Sequence, residues 1–172
     1  MKKVFLSLLL VAGLATTASA QKVQKAFGVR LGYGAELSYQ HPFGGNNRLE
    51  IDGGLYGFNN KYYTSAFVSG IYQWVNPIQD GFNWYAGFGP QLGLYSYKDN
   101  YYWDANKKEY VEGTGSKTDF ALALAGQLGV EYNFPSVPFQ ISLDWRPAVR
   151  ILPNMGDAFM YEGIGLGLRY RF

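Results

Sequence analysis

Hydrophobic and polar positions alternate along most of this chain with a period of two, the signature of half-buried β-strands. In "AFGVRLGY", residues 26 to 33, Phe27, Val29, Leu31 and Tyr33 share one face, and Gly28, Arg30 and Gly32 share the other. "AELSYQH" opposes Ala35, Leu37 and Tyr39 to Glu36, Ser38 and Gln40. "RLEIDGGLYGF", 48 to 58, opposes Leu49, Ile51 and Leu55 to Glu50, Asp52, Gly54 and Tyr56. "TSAFVSGIYQWV", 64 to 75, is strand-like with apolar residues on both parities; Ala66, Val68, Tyr72 and Trp74 are assigned outward.

The second half continues the pattern. "FNWYAGFGPQLGLYSY", 82 to 97, sets Trp84, Ala86, Phe88, Pro90, Leu92 and Leu94 against Tyr85, Gly87, Gly89, Gln91, Gly93 and Tyr95. Pro90 lacks a backbone donor and marks a bulge or a weakly paired site. "TDFALALAGQLGVEYNF", 118 to 134, sets Phe120, Leu122, Leu124, Leu128, Val130 and Tyr132 against Ala121, Ala123, Ala125, Gln127, Gly129 and Glu131. "FQISLDWRPAVRI", 139 to 151, sets Phe139, Ile141, Leu143, Trp145 and Val149 against Gln140, Ser142, Asp144, Arg146 and Arg150. The chain ends on "GIGLGLRYRF", where Ile164, Leu166, Leu168, Tyr170 and Phe172 alternate with glycines and with Arg169 and Arg171. Turn residues separate the segments at 42–47, 76–81 and 134–138, and Lys98 to Lys117 forms the longest loop. With a tight hairpin at Gly34 the count is eight strands; without it, seven.

The first twenty residues are of another kind. Lys2 and Lys3 precede the apolar run "VFLSLLLVAGL", and "ASA" closes it. That is the pattern of a secretory signal peptide, with Gln21 as the first mature residue and 21–172 as a single domain. Export through the Sec pathway follows. Of 15 Lys+Arg, removal of Lys2 and Lys3 leaves 13, matching 13 Asp+Glu. A charge-balanced mature chain has no basic excess for a nucleic-acid partner. The chain has no cysteine, which excludes disulfides and a lipid-modified cysteine.

The inward or outward sense of the alternation decides the class. Aromatics make up 18% of the chain and glycines number 22, yet mean hydropathy is only -0.15. Alternating lipid-facing and lumen-facing residues cancel in that way. The charged set on one parity is Arg30, Glu36, Glu50, Asp52, Glu131, Asp144, Arg146, Arg150, Arg169 and Arg171. Five acids and five bases suit a confined lumen, where unpaired charges are costly. Tyr72, Trp74, Phe82, Trp84, Tyr132, Phe134, Phe139, Tyr170 and Phe172 fall near one rim, as in the aromatic girdle of a membrane barrel. The expected fold is all-β: an eight-stranded antiparallel up-and-down transmembrane barrel, with outer-membrane lipid against its apolar face. The competing arrangement is a soluble lipocalin-like barrel carrying an apolar ligand inside.

The stretches "GVRLGYGAELSYQHPFGGNNRLE", "GIYQWV", "NWYAGFGP", "GQLGVEYNF", "ISLDWRP" and "LRYRF" resemble the small outer-membrane β-barrel-domain family of Gram-negative bacteria. The resemblance spans essentially all of the mature chain. It implies residence in the cell outer membrane, with both termini and the turns 42–47, 76–81 and 134–138 in the periplasm. Loops near 58–62, 98–117 and 152–159 would then be extracellular. It also implies that Tyr170 and Phe172 form the carboxy-terminal signal read by the barrel-assembly machinery.

Enzymes that share this architecture resemble lipid A acyltransferases, deacylases and barrel proteases, whose sites combine histidine with Ser, Asp or Glu near the extracellular rim. The single histidine here, His41, falls at the opposite end beside Pro42 and reads as a turn residue. One His and no Cys make a metal site poor, and no cofactor motif is present. Glu50 and Asp52 share a face, but a salt-bridge network accounts for them better than paired acid–base chemistry. Eight strands leave an interior just wide enough for side chains, which argues against a channel. The expectation is a non-enzymatic barrel with a closed polar core. Its role is structural or that of a docking surface. The 98–117 loop, with Tyr101, Tyr102, Trp103 and Tyr110 as anchors, would meet a protein or glycan partner. A lipid-modifying enzyme and a narrow channel are the alternatives of other classes.

Overall fold

The computed structural model describes residues 23–56, 63–98, 102–104, 109–111, 116–152, 159–160 and 163–172. Its strands are β1 (Ala26–Leu31), β2 (Gly34–Pro42), β3 (Asn47–Tyr56), β4 (Tyr63–Gln79), β5 (Phe82–Lys98), β6 (Tyr102–Asp104), β7 (Glu109–Val111), β8 (Ser116–Asn133), β9 (Phe139–Trp145), β10 (Ala148–Leu152), β11 (Phe159–Met160) and β12 (Ile164–Arg171). Ten of them form one antiparallel sheet that closes on itself, because β1 pairs with β12, and β9 pairs with both β12 and β8. The pieces β9 and β10 make one stave, interrupted at Arg146 and Pro147; β11 and β12 make the last. The result is a closed eight-stave barrel.

The ladder registers fix its shape. The circuit Gln140–Arg169–Gly28–Ser38–Asp52–Ser69–Gln91–Ala123–Arg150 follows directly paired residues once around the wall. It starts at 140 and returns to the same stave at 150, a stagger of ten residues. Such a stagger tilts every strand and leaves an interior that side chains fill.

Turn chemistry explains the connections. Asp80 (φ 38°) and Gly81 (φ 91°) form a two-residue hairpin turn between β4 and β5, the left-handed pair that matches strand twist. The break expected over 76–81 is therefore confined to Asp80 and Gly81. Pro77 stays in β4, at an irregularity of the ladder between Pro77 and Gln79. At the β2–β3 turn, Gly44 and Gly45 also take positive φ. The first hairpin is the tight one at Gly34, with the Gly32 amide donating to the Gly34 carbonyl at 3.0 Å, so the strand count is eight rather than seven. Pro90 lies where the β4–β5 ladder skips from Ser69↔Gln91 to Tyr72↔Phe88, a weakly paired site as its chemistry requires. The stretch expected as one long loop from 98 to 117 carries a further antiparallel pair, β6 with β7, in which Trp103 and Tyr110 are partners in the backbone register.

The alternation places apolar side chains outside. Phe27, Leu37, Phe88, Leu124, Leu143 and Leu166 are all exposed, while Arg30, Glu50, Asp52, Gln73, Asp144 and Arg169 are buried. On β4 the outward set is Ala66, Val68, Tyr72 and Trp74, and Phe67, Ile71 and Val75 point inward. Along β5 the outward apolar residues run from Phe82 to Leu94, about 30 Å along the axis at ~3.3 Å per residue and a ~40° tilt. Past that band the outward side chains turn polar: Thr118 Oγ1 donates to Ser96 Oγ at 3.4 Å. At the rim that bears the chain ends and the short turns, called here the near rim, aromatic rings touch in series. Phe43 meets Tyr72, Tyr72 meets Trp74, Phe82 meets Tyr132, Tyr132 meets Phe134, and Tyr170 lies between Phe139 and Phe172.

Candidate functional site: a buried ion-paired lumen

Inward-facing charged side chains from six staves converge on one cluster in the near half of the lumen. Arg146 is its hub. The break at Pro147 ends β9 beside it, and the Arg146 amide donates to the Gly163 carbonyl at 3.0 Å. Its guanidinium reaches Glu36 at 3.0 Å, Glu50 at 3.0 Å and Asp52 at 2.7 Å. Three carboxylates from two staves thus share one cation from a stave across the barrel.

The other arginines extend the network. Arg30 grips Asp144 through Nε and Nη2, at 2.9 and 2.6 Å, and pairs with Glu36 at 2.7 Å. Arg169 donates to Ser38 Oγ, Ser142 Oγ and Glu50 Oε2 at 2.9, 2.8 and 3.1 Å. Arg48 pairs with Glu131 at 2.7 Å, donates to Gln73 Oε1, and lies 4.9 Å from the Tyr85 ring centroid. Neutral amides fill the gaps. Gln40 and Gln127 donate to the two Glu50 oxygens at 2.6 and 3.0 Å, Gln73 donates to Gln127 at 2.6 Å, and Asn83 donates to Glu131 at 3.2 Å. Tyr85 donates to Asp144 at 3.1 Å.

Glycine makes the room. A Cβ on Gly129 would fall 2.5 Å from Tyr85 Cζ, and one on Gly165 would fall 2.4 Å from Arg30 Cζ. The bare positions on β8 and on the last stave are the space that Tyr85 and Arg30 occupy.

The sequence-derived charged set divides in space. Arg30, Glu36, Glu50, Asp52, Glu131, Asp144, Arg146 and Arg169 meet in the buried cluster. Arg150 is half-buried toward the far rim, with its guanidinium 5.5 Å from the Tyr95 ring centroid. Arg171 sits at the near mouth, where it donates to the carbonyls of Phe134 and Val137 at 2.7 and 3.3 Å. Both belong at the ends of the stripe rather than in the hub, because each lies near the end of its strand, β10 at Leu152 and β12 at Arg171. Arg48, absent from that set, is fully inside. Its only signal was parity with Glu50, masked by the adjoining turn "PFGGNN".

His41 is exposed near the girdle, with Nδ1 3.2 Å from the Tyr39 hydroxyl, and no carboxylate contacts it among the hydrogen bonds of the described residues. No group of three or more His, Cys, Asp or Glu among the described residues could hold a metal. Glu50 and Asp52 are together, but both are committed to Arg146. Tyr101 lies outside the described residues. Tyr102, Trp103 and Tyr110 are placed by backbone pairing in β6 and β7.

No protein-family model matches this sequence, and no curated protein sequence matches it. The fold is similar to that of Neisserial surface protein A, with a TM-score of 0.61 and 14% identity over 87% of this chain and 94% of that one. It is also similar to Ail, the attachment invasion locus protein of Yersinia pestis, with a TM-score of 0.50 and 16% identity over 87% and 94% of the two chains. The chain has the closed eight-stranded antiparallel architecture of outer-membrane β-barrels.

Proposed function

We propose that this protein is an integral outer-membrane barrel, exported by the Sec pathway and folded by the barrel-assembly machinery through Tyr170 and Phe172. Its lumen is closed, it is not an enzyme, and it serves as a rigid pedestal for a surface contact. The observation that carries this reading is the reversed polarity of the wall. A continuous belt of exposed Leu, Phe, Trp and Val surrounds a core of arginines and carboxylates at 0 to 5% exposure. In water that belt would be an aggregation surface far beyond a tolerable apolar patch. In lipid it is solvated.

The near rim faces the periplasm, as its short turns suit. The 98–117 loop then faces outward, with Tyr101, Tyr102, Trp103 and Tyr110 as the contact residues for a protein or glycan partner. Ail carries attachment and invasion in its name, and a surface-contact role of that general kind fits a barrel whose lumen is filled. The alternatives of a lipid-modifying enzyme, a narrow channel and a lipocalin-like carrier have no comparable support. The carboxylates are neutralised, the lumen is occupied by its own side chains, and the apolar face is outside.

The test uses the full chain with a tag inserted near Asn106. A boiling-dependent gel shift with tag labelling on intact cells is the expected result. A soluble periplasmic protein without the shift overturns the reading. Deletion of 100–115 should abolish partner or cell-surface binding and leave the gel shift intact.

A further inference from the structure

Residues 23–25 precede β1 and lie across the near mouth. The Phe172 amide donates to the Lys25 carbonyl at 2.9 Å, and Arg171 Nη1 donates to Gln24 Oε1 at 3.4 Å. Beneath them is a small, partly open cavity of about 20 Å³, bounded by Val23 and Gln24 above and by Arg48, Val75, Glu131 and Gln140 below, with Arg171 at its side. Two buried polar atoms of its lining, Arg171 Nε and Gln140 Oε1, have no hydrogen-bond partner among the described residues. One is a donor and the other an acceptor.

We propose that Val23–Lys25 is a latch over the near mouth, and that the cavity beneath it is the site of one tightly held water bridging Arg171 Nε and Gln140 Oε1. The volume suits a single water, and the lining offers the two or more polar partners that such a water needs. Arg171 joins the two parts. Its guanidinium holds the 134–138 turn through Phe134 and Val137, touches the strap through Gln24, and presents Nε to the cavity. The latch therefore shields the outermost ion pair, Arg48 with Glu131, from solvent at that end. Every group involved lies at the near rim, so the inference does not depend on what the far loops bind.

The absence of cysteine makes the test clean. Val75 is buried beneath the strap, and Val75→Cys places one near-isosteric thiol there. Its reaction with a small charged methanethiosulfonate is timed on the purified full-length barrel, with the strap intact and with Val23→Gly and Gln24→Gly together. Both strap positions lie outside the staves, and a boiling-dependent gel shift confirms that each variant is folded. The latch predicts labelling faster by about tenfold when the strap is loosened, the effect of losing about one hydrogen bond's worth of closure. Equal rates overturn the latch. A crystal structure should show one ordered water within hydrogen-bond distance of both Arg171 Nε and Gln140 Oε1; these atoms without a shared water overturn the site.

Discussion

The two halves of the lumen are built on the same staves and filled by opposite means. In the near half, inward positions carry Arg48, Glu50, Asp52, Glu131, Asp144, Arg146 and Arg169, all buried and interlocked. In the far half the same staves present Ala121, Ala123, Ala125 and Ala148, with glycine at 54, 93 and 163. The large side chains there include Phe67 and Tyr56, stacked at 4.3 Å and 8°. The changeover lies at Arg146, where the seventh stave breaks. A charged filling demands partners in fixed positions, so the near half is rigid and selective for its own composition. An alanine and glycine wall makes no such demand. The barrel is thus filled at one end by ion pairs and at the other by small side chains and a few aromatic contacts.

This contrast can be broken most sharply at the hub. Arg146→Ala leaves Glu36, Glu50 and Asp52 facing one another without their shared cation, and should cost about 3–5 kcal/mol. Urea unfolding in detergent micelles, followed by the gel shift, measures it. Arg48→Gln alone should cost nearly as much, because Glu131 is left buried and unpaired, whereas Arg48→Gln with Glu131→Gln should recover most of the loss. A double-mutant cycle that shows simple additivity would contradict the pairing. Gly28→Ala tests packing rather than charge. Its Cβ would fall 2.0 Å from the Leu168 carbonyl oxygen, and overpacking of this kind costs about 1–3 kcal/mol. The far half should be mildest: Phe67→Leu removes the stacked pair at about 0.5–1.5 kcal/mol, read in the same unfolding assay.

Much of this was legible from alternation alone. Where one parity is purely apolar, as in 139–145 and 164–172, inward and outward residues follow without ambiguity, since a period of two leaves no other choice. Segment 64–75 is apolar on both parities, and only pairing with β3 and β5 shows that Phe67, Ile71 and Val75 turn inward. Arg48 was hidden by its turn. Arg150 and Arg171 were placed with the hub because parity reports the face and not the height along a tilted strand. The Asp80–Gly81 dipeptide was present in the sequence, but Pro77 drew the boundary too early. The pairing inside 98–117 had no alternating signal strong enough to separate it from a polar loop.

The central claim is that the apolar face meets lipid and the charged face fills the lumen. Trp145 tests it most directly, because it projects outward from β9, next to Asp144 and Arg146, which point inward. With Trp74, Trp84 and Trp103 changed to Phe, Trp145 is the only remaining tryptophan, and its fluorescence can be followed in vesicles of lipids brominated along the acyl chain. The account predicts strong quenching relative to unbrominated lipid. Unchanged fluorescence in the folded, reconstituted protein would place Trp145 away from the acyl chains and contradict the inside-out barrel.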